Sequence, residues 1–145
     1  MYVFGGEQLI DGDITAIWSV WTDMERFPQW DPREEETRLN GPFAVGTAGY
    51  SKQKGNPGGP FTLTVIEPGR QWTAESALPG GKLEIRHLLE PAGQNEVKVA
   101  KRYVVQGPLI PLFRWYYGPK VRRALGGTFT ALEKEAARRV TDQQR

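Results

Sequence analysis

The chain has 145 residues, with 19 Lys and Arg against 17 Asp and Glu, a formal net charge of +2, a single His and no Cys. At this length about 70% of the unfolded surface can be buried, and 39% hydrophobic content with five Trp supplies one core and excludes extended disorder. Disulfides are excluded, a zinc site would rest almost wholly on carboxylates, and so small a charge does not by itself argue for nucleic acid.

No stretch approaches the roughly 20 apolar residues that span a bilayer, and Met1 to Glu7 has neither a basic lead nor an apolar run. The expectation is a soluble, cytoplasmic protein of one domain, residues 1–145, with no cofactor and no metal.

Tyr2 to Ile10 reads as a first strand in which Gly5 and Gly6 mark a bulge or a close backbone approach. Asp13 can cap a helix whose Ile14, Ile17, Trp18, Trp21 and Met24 fall on one face. Pro28 and Pro32 disfavour helix just before them, so a second short helix is expected over about Asp23 to Phe27.

Glu34 to Leu39 and Gly46 to Lys54 read as strands about a turn at Asn40-Gly41-Pro42. In the loop Gly55 to Pro60 five of six residues are Gly or Pro, which predicts a flap without regular structure. Its glycines do not make a phosphate loop, because no Gly-Lys-Ser/Thr ending follows.

From Phe61 the chain reads as a meander. Pro68-Gly69 and Pro79-Gly80 each suit the central positions of a type II turn. Two-residue loops would set Val65, Trp72 and His87 side by side on one face, followed by Leu63, Ala74 and Ile85, then Phe61, Ser76 and Leu83. Thr62, Thr64, Gln71, Thr73, Glu75, Glu84 and Arg86 then point away. After the turn at Pro91-Ala92-Gly93, an odd-length loop brings Val97, Val99, Tyr103 and Val105 to the inner face and sends Lys101 inward, at a cavity rim or at a bulge.

Pro108 to Gly118 is the densest aromatic stretch, and Pro119 to Arg139 reads as a long amphipathic helix. Val121, Leu125, Thr128, Phe129, Leu132 and Ala136 recur at spacings of three and four, with charge on the opposite face. The expected class is therefore α+β: a curved antiparallel sheet of about seven strands around a long C-terminal helix, with two short helices after the first strand. A sheet that curls round one helix leaves space where the two diverge, and Ala74 and Ser76 are small enough to widen it.

Ala16-Ile17-Trp18 with Asp23 to Asp31, Gly41 to Thr47, Val65 to Arg70 and Ala131-Leu132-Glu133-Lys134 together resemble the START-like, helix-grip superfamily of polyketide cyclases/dehydrases and lipid-transport proteins. The resemblance covers nearly the whole chain and implies a cavity for a hydrophobic molecule closed by the last helix. Gly118-Pro119 departs from an unbroken final helix, so a kink or a short separate helix is expected there.

The expected partner is a small hydrophobic molecule, lipid-, quinone- or polyketide-like, with no nucleic acid. The expected lining is Val65, Trp72, Ala74, Ser76, Ile85, His87, Val99, Tyr103, Phe113, Tyr117 and Val121. His87 is the one candidate for acid/base work in a rival reading as a cyclase or dehydrase, but no second base or nucleophile stands at a diagnostic spacing, and a histidine hydrogen-bonded to backbone or to Ser76 is the blander reading. The other rival is an adapter that uses the 109–117 aromatic stretch for transient membrane or protein contact, with core packing the commoner fate of such rings. Lys120, Arg122 and Arg123 read as a solvated helix face.

Overall fold

The computed structural model describes residues 1–144. Seven strands, β1 (Tyr2–Asp11), β2 (Glu34–Leu39), β3 (Ala48–Gln53), β4 (Gly59–Glu67), β5 (Gln71–Leu78), β6 (Gly81–Gly93) and β7 (Glu96–Gln106), form one antiparallel sheet in the order β1-β7-β6-β5-β4-β3-β2. Between β1 and β2 stand α1 (Ile14–Trp21), a 3₁₀ turn (Met24–Arg26) and α2 (Phe27–Trp30). After β7, a helical turn α3 (Ile110–Leu112) runs through a π-helical turn (Phe113–Tyr117) into α4 (Gly118–Gln143).

The Asp13 carboxylate caps α1 by accepting from the Ala16 amide. α1 stops at Trp21, short of Met24, and Pro28 lies in the first turn of α2, where its missing amide is no loss, so it starts that helix and does not end it. The flap is also shorter than expected, because Gly59 and Pro60 pair with Ser51 and Tyr50 as the beginning of β4.

β1 lies against β7 without a register shift, and the first glycine is there for close approach. Gly5 has φ +146°, and a Cβ on it would overlap the Lys101 carbonyl oxygen. All six apolar-stripe residues of α4 are buried, as the spacing predicts.

The β5–β6 register agrees with the sequence expectation: Trp72 faces His87, Ala74 faces Ile85 and Ser76 faces Leu83 about Pro79-Gly80. β6–β7 brings the expected residues inward, with His87 opposite Lys101 and Ile85 opposite Tyr103. β6, however, runs on through Pro91-Ala92-Gly93 to a two-residue turn, Gln94-Asn95, and a bulge between Pro91 and Gly93 supplies the odd residue that the loop was expected to provide. β4–β5 does not keep its register throughout. Pro68-Gly69 makes its turn, with the Arg70 amide donating to the Glu67 carbonyl at 2.9 Å, but Glu67 pairs with Gln71, so the loop has three residues. A bulge between Leu63 and Val65 restores the register upstream. The consequence is a reversal of faces: Ile66 packs on the core and Val65 turns outward, 37% exposed.

The disturbance expected at Gly118-Pro119 falls one turn earlier, as the π turn. The Gly118 amide donates to the Phe113 carbonyl five residues back, and the backbone stays helical across Pro119.

Candidate functional site

The space between sheet and helix is divided. One half is solid. Trp72 and His87 stack with ring centroids 3.5 Å apart and planes 5° from parallel, and the Trp21 edge meets the imidazole at 5.2 Å. Trp21 also meets Phe129 of α4, while Phe27 and Phe43 close on Trp72. This aromatic cluster is filled because α1 and α2 lie directly over the middle of β5 and β6.

The other half is open. A cavity of about 400 Å³ lies beneath the helical segment that follows β7, and its size falls within the range of small-molecule sites. Its apolar wall comes from Leu83 and Ile85 of β6, Tyr103 of β7, Phe4 of β1, and Leu109, Leu112, Phe113, Tyr117 and Val121 above. Phe4 stacks on Tyr103 at 4.8 Å and tilts against Phe113 at 6.4 Å, so three elements share one aromatic wall. Ser76 to Pro79 and the 56–60 segment complete the rim.

Of the residues expected to line a site, Ser76, Ile85, Tyr103, Phe113, Tyr117 and Val121 come together around this cavity. Trp72, Ala74, His87 and Val99 share the inner face but belong to the packed half. Val65 is on the outer face, by the bulge described above. Phe4, Arg33, Ser51, Gln53 and Lys101 also line the cavity. Phe4 could have been found from its antiparallel partner Tyr103, whereas β2 and β3 have no apolar alternation from which to argue which face Ser51 and Gln53 take.

His87 is 4% exposed, and its Nδ1 lies 3.2 Å from the Trp72 carbonyl oxygen. A carbonyl only accepts, so the neutral ring carries its proton on Nδ1. Burial holds its pKa well below the usual 6.5, with the nearby Lys101 ammonium adding to the effect. At neutral pH it is an uncharged pillar of the core, with no open face toward the cavity.

Lys101 is 8% exposed and lies in the cavity wall, its Nζ 5.6 Å from the Tyr103 ring centre. Behind the wall sits Glu34, whose carboxylate accepts from Thr37 Oγ1 at 3.2 Å and from Gln53 Nε2 at 3.2 Å. Burial pushes the Glu34 pKa up, Lys101 pulls it partly back, and Asp31 pushes it up further. Asp31, also buried, accepts from Thr128 Oγ1 at 3.2 Å and ties the start of β2 to α4. Among the described residues no cluster of His, Cys, Asp and Glu is arranged to hold a metal ion.

On the outside, Trp115 is 79% exposed, Tyr116 54% and Leu112 43%, with Arg114 and Lys120 over the rings of Tyr2 and Tyr116. No helix among the described residues is long and apolar enough to cross a membrane.

No family model and no curated protein matches the chain by sequence. Solved structures do match by fold. A START superfamily protein from Mycobacterium smegmatis superposes with a TM-score of 0.69 at 17% identity, over 95% of this chain and 99% of that one. A Thalictrum flavum norcoclaurine synthase point mutant in complex with a transition-state analogue gives 0.69 at 15% identity, over 95% of each chain. The di-domain ARO/CYC BexL gives 0.71 at 11% identity, over 92% of this chain and 46% of that one. At such identities the likeness is one of architecture, and the architecture is the START-like helix grip.

Proposed function

We propose that this START-like helix-grip chain binds and carries a small hydrophobic molecule between its sheet and its C-terminal helix. The observation that carries the reading is the cavity of about 400 Å³, walled by Leu83, Ile85, Tyr103, Phe113 and Val121 and roofed on one side by the helical segment after β7. The cavity is open to solvent at its rim, so water fills it when no ligand does, and an apolar body that displaces that water from Leu83, Ile85, Phe113 and Val121 gains their burial. The chain's likeness in fold to a START superfamily protein and to a di-domain ARO/CYC is consistent with a container for such molecules.

The test compares the native and denatured mass spectra of freshly purified protein with those of Ile85→Trp, which pushes an indole into the cavity. Overpacking costs about 1–3 kcal/mol and leaves the fold standing. A noncovalent mass present in the native chain and absent from the variant supports the reading, and the same mass on both refutes it.

A cyclase- or dehydrase-type reaction draws no support from His87, which is sealed in the packed half. The exposure of Trp115 and Tyr116 beside Arg114 and Lys120 favours a second step, in which the chain loads or unloads at an anionic bilayer surface. Replacing both rings by Ser should then abolish sedimentation with phosphatidylserine vesicles while leaving soluble ligand binding unchanged. Unaltered sedimentation would remove that step.

A further inference from the structure

The cavity wall is asymmetric in charge. It contains two cationic side chains, Lys101 and Arg33, and not one carboxylate. Lys101 is the more telling of the two, because its residue is 8% exposed and its strand position is fixed between His87 on β6 and Gly6 on β1. Among the described residues no carboxylate comes within the 4.0 Å of an ion pair and no acceptor makes a hydrogen bond to its Nζ. Its Nζ is not sealed from water but opens on the cavity, so a ligand that displaces that water must offer an acceptor in its place, and an anion does so best.

The groups around it do not meet that need. His87 is neutral and, with Nδ1 turned to the Trp72 carbonyl, belongs to the aromatic stack. Tyr103 offers only the face of its ring. Glu34 lies within electrostatic reach but spends its oxygens on Thr37 and Gln53, and burial favours its protonated form. Gln53 Nε2 also reaches Ser51 Oγ at 3.0 Å, so amide and hydroxyl groups line the same end of the wall as the ammonium. Apart from Arg33, Asn56 and Ser76, the rest of the lining is aliphatic, aromatic, or Gly and Pro.

We infer that the molecule held here is an amphiphile with one anionic head, a carboxylate, received by Lys101 at the polar end while its apolar body lies against Leu83, Ile85, Phe113 and Val121. The inference rests on the carrier reading and assigns the chemical class of its ligand. A charge-assisted hydrogen bond formed out of water discriminates between an anionic and a neutral head by on the order of 10- to 100-fold.

The experiment measures the binding of decanoate and decan-1-ol to the full chain at pH 7.5 by calorimetry, and repeats both with Lys101→Met. Decanoate is expected to bind 10- to 100-fold tighter than decanol on that scale. In K101M the preference should vanish, the decanoate affinity falling 10- to 100-fold toward that of decanol, since Met keeps the apolar stem and loses only the charge. Tryptophan fluorescence checks that K101M is folded, and the decanoate-to-decanol ratio of the native chain decides the matter even if the variant fails to fold. Equal affinities for the two heads, or a preference that survives K101M, overturn the assignment while leaving the cavity reading intact. Binding of neither molecule overturns both.

Discussion

His87→Ala tests whether the chain's one histidine is a structural pillar. The substitution removes the Nδ1–H bond to the Trp72 carbonyl, 3.2 Å long, worth about 1 kcal/mol. It also removes a parallel stack at 3.5 Å and an edge contact to Trp21 at 5.2 Å, which together contribute about 1–2 kcal/mol beyond area burial. The ring's burial is lost as well, and α1 holds Trp21 too firmly for the site to collapse. The expected loss is about 3–4 kcal/mol, in the range of other buried ring-to-Ala changes. His87→Phe keeps the ring and the stack and gives up only the hydrogen bond, so its loss should stay near 1 kcal/mol. Urea unfolding at pH 7, followed by tryptophan fluorescence, measures both. Decanol binding should be unchanged in each variant where it is folded, because His87 does not line the cavity. A loss below about 1 kcal/mol for His87→Ala, or a folded variant that no longer binds, would refute the reasoning.

Glu135 accepts from Arg138 at 2.7 Å through both of its oxygens and from Arg139 at 2.9 Å, which lowers its pKa from 4.5 to about 2. Its folded pKa is depressed, so the stability it contributes is present above pH 4.5 and fades as pH falls toward about 2. With the Arg138 side chain 58% exposed, solvent screening trims that contribution to about 1–2 kcal/mol. Glu135→Gln should therefore be destabilised by that amount at pH 7 and approach the parent only as pH drops toward about 2, and a gap independent of pH would disprove the linkage. Gly5→Ala should cost about 2–3 kcal/mol in urea unfolding, since φ is +146° and the new Cβ meets the Lys101 carbonyl. Gly126→Ala should instead stabilise by about 0.5–1 kcal/mol, because nothing lies within 4 Å of its Cβ position and Ala is the better helix former.

The parts of the fold legible in the sequence are those where pattern and turn chemistry act together. The α4 stripe is one: six positions at helical spacing have a single solution that buries them all. The β5–β6 register is another, because Pro79-Gly80 allows a tight two-residue hairpin and the polar residues on the far side penalise any slip. At β4 that penalty is missing. Val65 and Ile66 are adjacent, both apolar and both β-branched, so a one-residue bulge exchanges them with little cost in burial, and no alternation argument can tell which faces inward. The site was half legible for a different reason. Strand parity identifies the inner face, but not where α1 and α2 come to rest on it, and that placement decides that Trp72 and His87 are packed while Ser76 and Ile85 stay open. The polar end was less legible still, since Arg33 lies in the turn before β2 and Ser51 and Gln53 sit on a strand with no apolar alternation.

Lys101 stands at the boundary of the two halves, opposite His87 on the packed side and in the wall of the open side. Two cations cannot share that position cheaply, so one must give up its proton, and the imidazole is the better candidate because its ordinary pKa is nearer neutrality. Burial alone pushes the same way, and is the larger of the two influences on His87. Both have the same sign, but removing Lys101 separates them. In the native chain the carbon and proton shifts of the His87 ring should stay flat from pH 5.5 to 8. In K101M they should stay flat as well, because Trp72 and Trp21 still exclude water from the ring. If the ring instead titrates in K101M near its ordinary pKa, the lysine alone holds it neutral, the aromatic enclosure is looser than its 3.5 Å stacking implies, and the division into a packed and an open half fails with it.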